Sequence, residues 1–291
     1  MSPVQTPAAA RRRVRLALRG AREALGLTQG KVADAMDWSL SKVMRIEKGE
    51  VNISPGDLRA LLDHLDVRDP TRITVLLDDA RRARSERNSV EPRYREHLTL
   101  AMLQFMQYER SATAVRFFNP TLVPAVFQTE RYAETVLGVY AHGFSADAIK
   151  TRIEARSERR RHLIDDSDRP TCFVVVDESV LCREVGGRHV MGEQLLELLE
   201  LIQQDNIRIR VLPFTEPAPI AFLGPFSIVD MGDGQDPVLY REGPRSDEIA
   251  VSRRDIDQHV EIFEWLWSGV YDDAESEELI RVRAAAMLHR R

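Results

Sequence analysis

The chain has 291 residues, enough for two or three domains, and at 43% hydrophobic and 30% charged it can bury an ample core. No apolar run reaches the ~20 residues that span a bilayer. Met1 to Ala10 lacks the apolar stretch of a signal peptide, and Cys172 and Cys182 are too few for a disulfide framework, so a reducing cytoplasm is expected. The net charge of −5 hides a split. Residues 1–50 hold 10 Lys and Arg against 5 Asp and Glu, which leaves 31 against 41 in the remainder. A basic head therefore precedes an acidic body, and only the head suits a polyanion.

Residues 1–10 lack periodicity and read as a disordered tail. Arg11-Arg12-Arg13-Val14-Arg15 leads into a first helix, with Leu16, Leu18, Ala21, Ala24 and Leu25 as its apolar face and Gly26 as its end. Thr28 caps a second helix carrying Val32, Ala33 and Met36. Asp37-Trp38 breaks that pattern, and Ser39 caps a third helix whose apolar positions are Val43 and Ile46. Gly49 suits the left-handed conformation past its end. This pair is laid out as a helix-turn-helix. Ser54-Pro55-Gly56-Asp57 starts a fourth helix, with Leu58, Leu61, Leu62 and Leu65 inward. Asp69-Pro70 opens a fifth through Ile73, Leu76 and Leu77, and Arg81 to Asn88 is a charged exit. The head thus spans residues 11–88.

Residues 89–166 read as a helical middle region. Tyr94 to Tyr108 has a broad apolar stripe, Phe117-Phe118-Asn119-Pro120 is a break, and Leu122 to Val139 is helical again. Ala146 to Ile164 is a helix rich in basic residues: Lys150, Arg152, Arg156, Arg159, Arg160 and Arg161. Such a run is more often a solvated face than a surface for nucleic acid or an acidic protein. Residues 167–291 change period. Cys172 to Val176 is a buried strand, Gly186-Gly187 a loop, and Met191 to Gln204 a helix. Ile207 to Leu212 is a strand with one wet face, and Phe226 to Val229 and Val238 to Tyr240 are further strands. Helices over Ile256–Trp267 and Ala274–Leu288 follow. The fold class is multidomain: a five-helix head, a helical middle region and a small C-terminal α/β domain.

An α-helix fits the major groove, where its N-terminal residues meet base edges. Ser39, Leu40, Ser41 and Lys42 occupy those positions, with Arg45 one turn further on. Gln29 is placed to hold a phosphate with a helix N-terminus. Lys31, Lys48, Arg11, Arg12 and Arg13 are candidates for backbone contact. In the body, Asp177 and Glu178 follow a buried strand, where α/β active sites often lie, yet turn carboxylates are more commonly caps. Gly186-Gly187 lacks the sequel of a phosphate loop. The seven histidines show no metal spacing, and no cofactor or metal is expected. Trp265 and Trp267 are read as half-buried, an exposed aromatic there being an interface candidate.

Residues 16–66 resemble the Xre/Cro-type helix-turn-helix family through Leu27-Thr28-Gln29, Val32-Ala33, Ser39, Ser41-Lys42-Val43 and Arg45-Ile46-Glu47-Lys48-Gly49. Asp37 stands where that family often has Gly, a substitution that Asp tolerates at positive φ. The resemblance implies that Glu47 is structural, bonding loop N–H groups at the helix end. Residues 93–285 resemble a domain of unknown function in actinomycete regulators, including the WhiJ-like proteins. The carrying pieces are Tyr94-Arg95-Glu96-His97-Leu98, Leu122 to Ala133, Val176 to Leu181, Gly186-Gly187, Gln194-Leu195, Val211 to Phe214 and Gly224-Pro225-Phe226. That family usually reads Pro-Gly-Leu-Leu-Gln-Thr where this chain has Pro124-Ala125-Val126-Phe127-Gln128-Thr129, and Gln at Arg160. The resemblances imply a cytoplasmic, nucleoid-associated transcription regulator, a homodimer on a palindromic operator. They imply control by a small acidic partner protein in a toxin–antitoxin-like pair. A small-molecule-sensing regulator is the alternative, and an enzyme with a DNA-binding head the least expected.

Overall fold

The computed structural model describes residues 6–84, 92–139, 143–216, 223–232, 236–243, 247–250 and 252–289, in two units, Met1–Glu91 and Pro92–Arg291. Among the described residues, five helices build the first unit: α1 (Pro7–Ala24), α2 (Gln29–Ala35), α3 (Leu40–Lys48), α4 (Pro55–His64) and α5 (Pro70–Arg84). Their starts are set by local chemistry. The hydroxyls of Thr28, Ser39 and Ser54 accept from the amides of Lys31, Lys42 and Asp57, so each satisfies an N–H that the helix leaves unpaired. Asp37 turns the chain between α2 and α3 at φ 53°, and Gly49 ends α3 at φ 76°. Val14, Leu18, Val32, Ala33, Val43, Ile46, Leu58, Leu61, Leu62 and Leu76 fill the core.

One expectation fails at the start. Residues 7–10 are helical, because Thr6 accepts from the Ala9 amide and Pro7 occupies the first turn, where its missing N–H does no harm. Residues 1–5 of the expected tail, and residues 85–88 of the charged exit, lie outside the described residues.

The second unit is a six-stranded sheet with helices around it. Its strands are β1 (Ala114–Asn119), β2 (Thr171–Asp177), β3 (Ile207–Leu212), β4 (Phe226–Asp230), β5 (Val238–Arg241) and β6 (Glu248–Ile249), in spatial order β3-β2-β1-β4-β5-β6. β1, β2 and β3 run parallel, with Phe118 opposite Val175 and Val175 opposite Arg210. β4 joins β1 antiparallel and the sheet continues antiparallel to its edge. The segment read as a break at Phe117–Asn119 is thus the end of a central strand. Its aromatic pair is buried on both faces, which removes the alternation that marks a half-wet strand. β1 ties the mainly helical middle region to the sheet, so the boundary expected at 166/167 does not separate two units.

Two helix readings shorten for local reasons. Tyr94 to Tyr108 divides into α6 (Pro92–His97) and α7 (Leu100–Glu109), since the Thr99 hydroxyl caps α7 through the Met102 amide. After β1, Asn119 Oδ1 accepts from the amides of Thr121 and Leu122, holding a turn. A single 3₁₀ turn at Ala125–Phe127 then precedes α8 (Glu130–Val139). The basic helix is α9 (Ala146–Arg160), closed by a π turn at Arg161–Asp165. Most of its charges are turned into the fold rather than onto a solvated face. Only Lys150 and Arg161 are exposed, whereas Arg159 is buried against Glu109, Arg160 pairs with Glu197, and Arg152 and Arg156 line a cavity.

The remaining helices are α10 (Glu178–Cys182), α11 (Arg188–Ile202), α12 (Arg253–Gly269) and α13 (Asp273–His289). α12 covers part of the sheet with Ile256, Phe263 and Leu266 against Phe118, Val175 and Ile228. Gly186 holds φ 69° before α11, and a Cβ there would lie 2.7 Å from Thr135 Oγ1. The edge of β3 is closed by α13, where Ser276 Oγ accepts from the Val211 amide at 3.0 Å. Arg208 lies on the wet face of β3. Arg210, on the same face, shares Asp273 with Arg208 and lies 4.2 Å over the Trp267 ring. Trp267 is half-buried and Trp265 is exposed.

Candidate nucleic-acid interface

α3 is amphipathic. Val43 and Ile46 face the core, while Leu40, Ser41, Met44, Arg45 and Lys48 are exposed. Met44 was not singled out in the sequence, although it stands four residues from Leu40 and three from Ser41, the spacing of one helix face. Ser39 is exposed, and its oxygen is engaged by the Lys42 amide. Lys42 itself turns toward α4. Its ammonium is 3.1 Å from Asp57 and 3.7 Å from the centre of the Trp38 ring.

The angle of α3 is fixed by a polar cluster at its far end. Arg22 donates to both oxygens of Glu47 at 2.6 and 2.9 Å, and to the Leu27 carbonyl. Gln29 Nε2 donates to the same carboxylate at 2.8 Å. Hydrogen bonding to Glu47 overcomes the burial penalty and raises the Arg22 guanidinium above its ordinary value. Glu47 is structural as expected, but its partners are side chains of α1 and α2 rather than loop N–H groups. An arginine fork satisfies both carboxylate oxygens, which single N–H groups would have to share. Arg15 adds a bond to the Lys48 carbonyl, satisfying one of the last acceptors of α3.

The arginines of α1 do not form a free basic cluster. Arg13 grips the buried Asp79 of α5 with two bonds of 2.8 and 2.6 Å. Arg12 is buried. Arg11 is half-buried, with Nε bound to Asn52, whose own amide reaches the Ala83 carbonyl. Of the cations among the expected contacts, the structure brings Lys31, Arg45 and Lys48 to the surface. Arg45 is 3.7 Å from Glu50, with both side chains half in solvent.

A family of helix-turn-helix domains (HTH_31) matches residues 13–74, covering this architecture from α1 into α5. A second family, a domain of unknown function (DUF5753), matches residues 102–282, more than half of the chain. The chain belongs to the DUF5753 family. Neither a curated protein nor a solved structure matches it. Helix-turn-helix domains are DNA-binding modules, and a DNA-binding regulator is the function the first match supports.

In the DUF5753 body, Asp177 and Glu178 are engaged in holding the fold. Asp177 caps α10 through the Ser179 amide. Glu178 accepts from the Phe214 amide and from Arg283. Burial pushes the Cys172 thiol far above its ordinary value, as suits a packing residue. Among the described residues no group of three His, Cys, Asp or Glu side chains could hold a metal ion, and no helix is long and apolar enough to cross a membrane.

Proposed function

We propose that this protein is a sequence-specific transcription regulator whose head is of the Xre/Cro type and reads DNA through α3. The carrying observation is the exposed face of α3, which offers groups matched to base edges on a helix whose angle is locked by the Arg22–Glu47–Gln29 cluster. Arg45 can donate twice to guanine, Ser41 can serve either base class, and Leu40 and Met44 suit thymine methyls. Lys31 and Lys48 hold phosphates. Lys42 joins them by leaving Asp57, since an exposed ion pair is worth only about 0–1 kcal/mol. Gln29 contributes positioning through Glu47. Arg12 and Arg13 drop out because each is spent inside the bundle.

The protein acts in the cytoplasm, on the nucleoid, as a homodimer on a palindromic operator with recognition helices ~34 Å apart. Its DUF5753 body is regulatory rather than catalytic. A small acidic partner, of the toxin–antitoxin-like kind implied by the WhiJ-like resemblance, competes with DNA for Lys31, Arg45 and Lys48. The charge split between head and body supports this reading. The second reading, a small-molecule sensor, is favoured by the cavity beside α9.

Selection of random duplexes by the full chain should enrich a two-fold symmetric motif. Arg45→Ala should cost about 1–3 kcal/mol and relax one base position in each half-site. Failure to enrich any motif overturns sequence-specific reading, and a motif without symmetry overturns the dimer alone. A co-expressed small acidic protein that leaves affinity unchanged in a gel-shift titration rules out the competing partner.

A further inference from the structure

A cavity of about 370 Å³ lies between α9 and the sheet, within the ~300–1,000 Å³ range of small-molecule sites. Its apolar lining includes Phe105, Phe117, Phe118, Phe144 and Phe226. Arg152, Arg156 and Arg159 enter it from successive turns of one face of α9, and their charges are matched unequally. Arg159 is neutralised: it donates to both oxygens of the buried Glu109, at 2.6 and 2.8 Å. Arg152 donates to the Ala148 carbonyl and lies 3.9 Å from the centre of the Phe144 ring. Arg156 donates to the neutral Gln128 oxygen at 2.9 Å, and no carboxylate among the described residues is in ion-pair contact with it.

Two carboxylates line the same cavity without completing that match. Asp247 accepts from the Thr99 hydroxyl at 2.7 Å. Glu242 is exposed at the rim and also lines the cavity. Desolvation and the nearby Asp247 raise its pKa, against the pull of Arg156 and Arg159. Burial pushes the Arg156 guanidinium down to about 10, Glu242 opposing and the other two arginines assisting. A cation this enclosed is costly unless an anion meets it. A planar guanidinium matches a carboxylate through two parallel bonds. A doubly charged phosphate suits the place less, because Glu242 and Asp247 would repel its second charge.

We propose that this cavity binds a small monocarboxylate with an aromatic or branched apolar body, its carboxylate on Arg156 and its body among the phenylalanines. The proposal rests on the small-molecule reading above and supplies its site and ligand chemistry.

The test is calorimetric titration of the full chain with phenylacetate, 3-phenylpropionate, L-phenylalanine and 4-methylpentanoate, each against its primary amide. At least one acid should bind at one site per chain with a Kd below about 1 mM, and at least tenfold more tightly than its amide. Arg156→Gln removes a poorly compensated, half-buried charge, so it should fold, and it should abolish the preference for acid over amide. Leu98→Trp, at a half-buried lining position, should block acid and amide together and serves if the first variant fails to fold. The proposal is overturned if no acid outbinds its amide, or if a folded Arg156→Gln variant keeps the preference. DNA affinity measured with and without the bound acid separates the two claims. An acid that binds but leaves DNA affinity unchanged sustains the site and removes only the sensing reading.

Discussion

The Arg13–Asp79 pair decides whether the arginine run of α1 serves the bundle or DNA. Asp79 is 3% exposed and Arg13 22%, and they share two short hydrogen bonds. Arg13→Ala would leave a buried carboxylate with Arg82 at 3.6 Å as its nearest cation. Breaking a buried pair costs about 3–5 kcal/mol. The partial exposure of Arg13 and the residual pull of Arg82 reduce this to about 2–3 kcal/mol. A unit of this size holds about 4–13 kcal/mol, at about 0.05–0.15 kcal/mol per residue, and at about 4–8 °C per kcal/mol its melting transition should fall by roughly 10–20 °C. Trp38 reports on this unit, and its fluorescence in a Trp265→Phe, Trp267→Phe background would follow that transition in the full chain. The double variant Arg13→Met, Asp79→Leu replaces the pair with apolar bulk and should melt near the parent, as other buried pairs do when exchanged whole. Its affinity for non-specific duplex DNA should keep the parental dependence on salt. If the double variant is folded but the slope of log K against log salt weakens by about 0.9, Arg13 neutralises a phosphate and the structural assignment is wrong.

Three other outcomes follow from the same geometry. Glu47→Ala strands Arg22 and Gln29, and should destabilise the head by about 3–5 kcal/mol in denaturant titration, with loss of DNA binding in step with unfolding. Asp37→Gly should leave stability within about 1 kcal/mol, whereas Asp37→Val should cost about 1–2 kcal/mol, since the φ of 53° crowds a β-branched side chain; equal melting of the two would contradict that turn. In the body, the folded-state pKa of Glu242 is raised, so its contribution is full below the ordinary value of 4.5 and is lost as pH rises through the folded value. Glu242→Gln should therefore melt higher than the parent at neutral pH, and the gain should vanish below about pH 4.5; a gain independent of pH would point to packing instead.

What was legible in the sequence was local. Thr28, Ser39 and Ser54 cap amides three residues on, and Asp37 and Gly49 set their own backbone angles, so a short window contains all of that information. β1 escaped because its justification is remote. Ala114 to Asn119 has no alternation, ends at Asn-Pro, and becomes a strand by pairing with Thr171–Val176 and Phe226–Asp230. The split of the stripe at Thr99 was written in the chain, since Thr preceding a helical run is a cap, but the apolar residues on both sides masked it.

Charge was the least legible property, and for one physical reason. A guanidinium looks the same in a sequence whether it meets water, phosphate or a carboxylate folded against it from far along the chain. Of the ten cations in residues 1–50, Arg13 is answered by Asp79, Arg22 by Glu47 and Arg15 by the Lys48 carbonyl, and Lys31, Arg45 and Lys48 stand exposed. In the body Glu109, fifty residues away, answers Arg159. The basic head is thus a smaller electrostatic object than its composition suggests, and three of its exposed cations, Lys31, Arg45 and Lys48, stand at the start of α2 and along α3, where the base-facing side chains also lie. The same accounting isolates Arg156. Of the two cavity-lining arginines of α9 with neutral partners, it is the more deeply enclosed, and an incoming carboxylate would answer it.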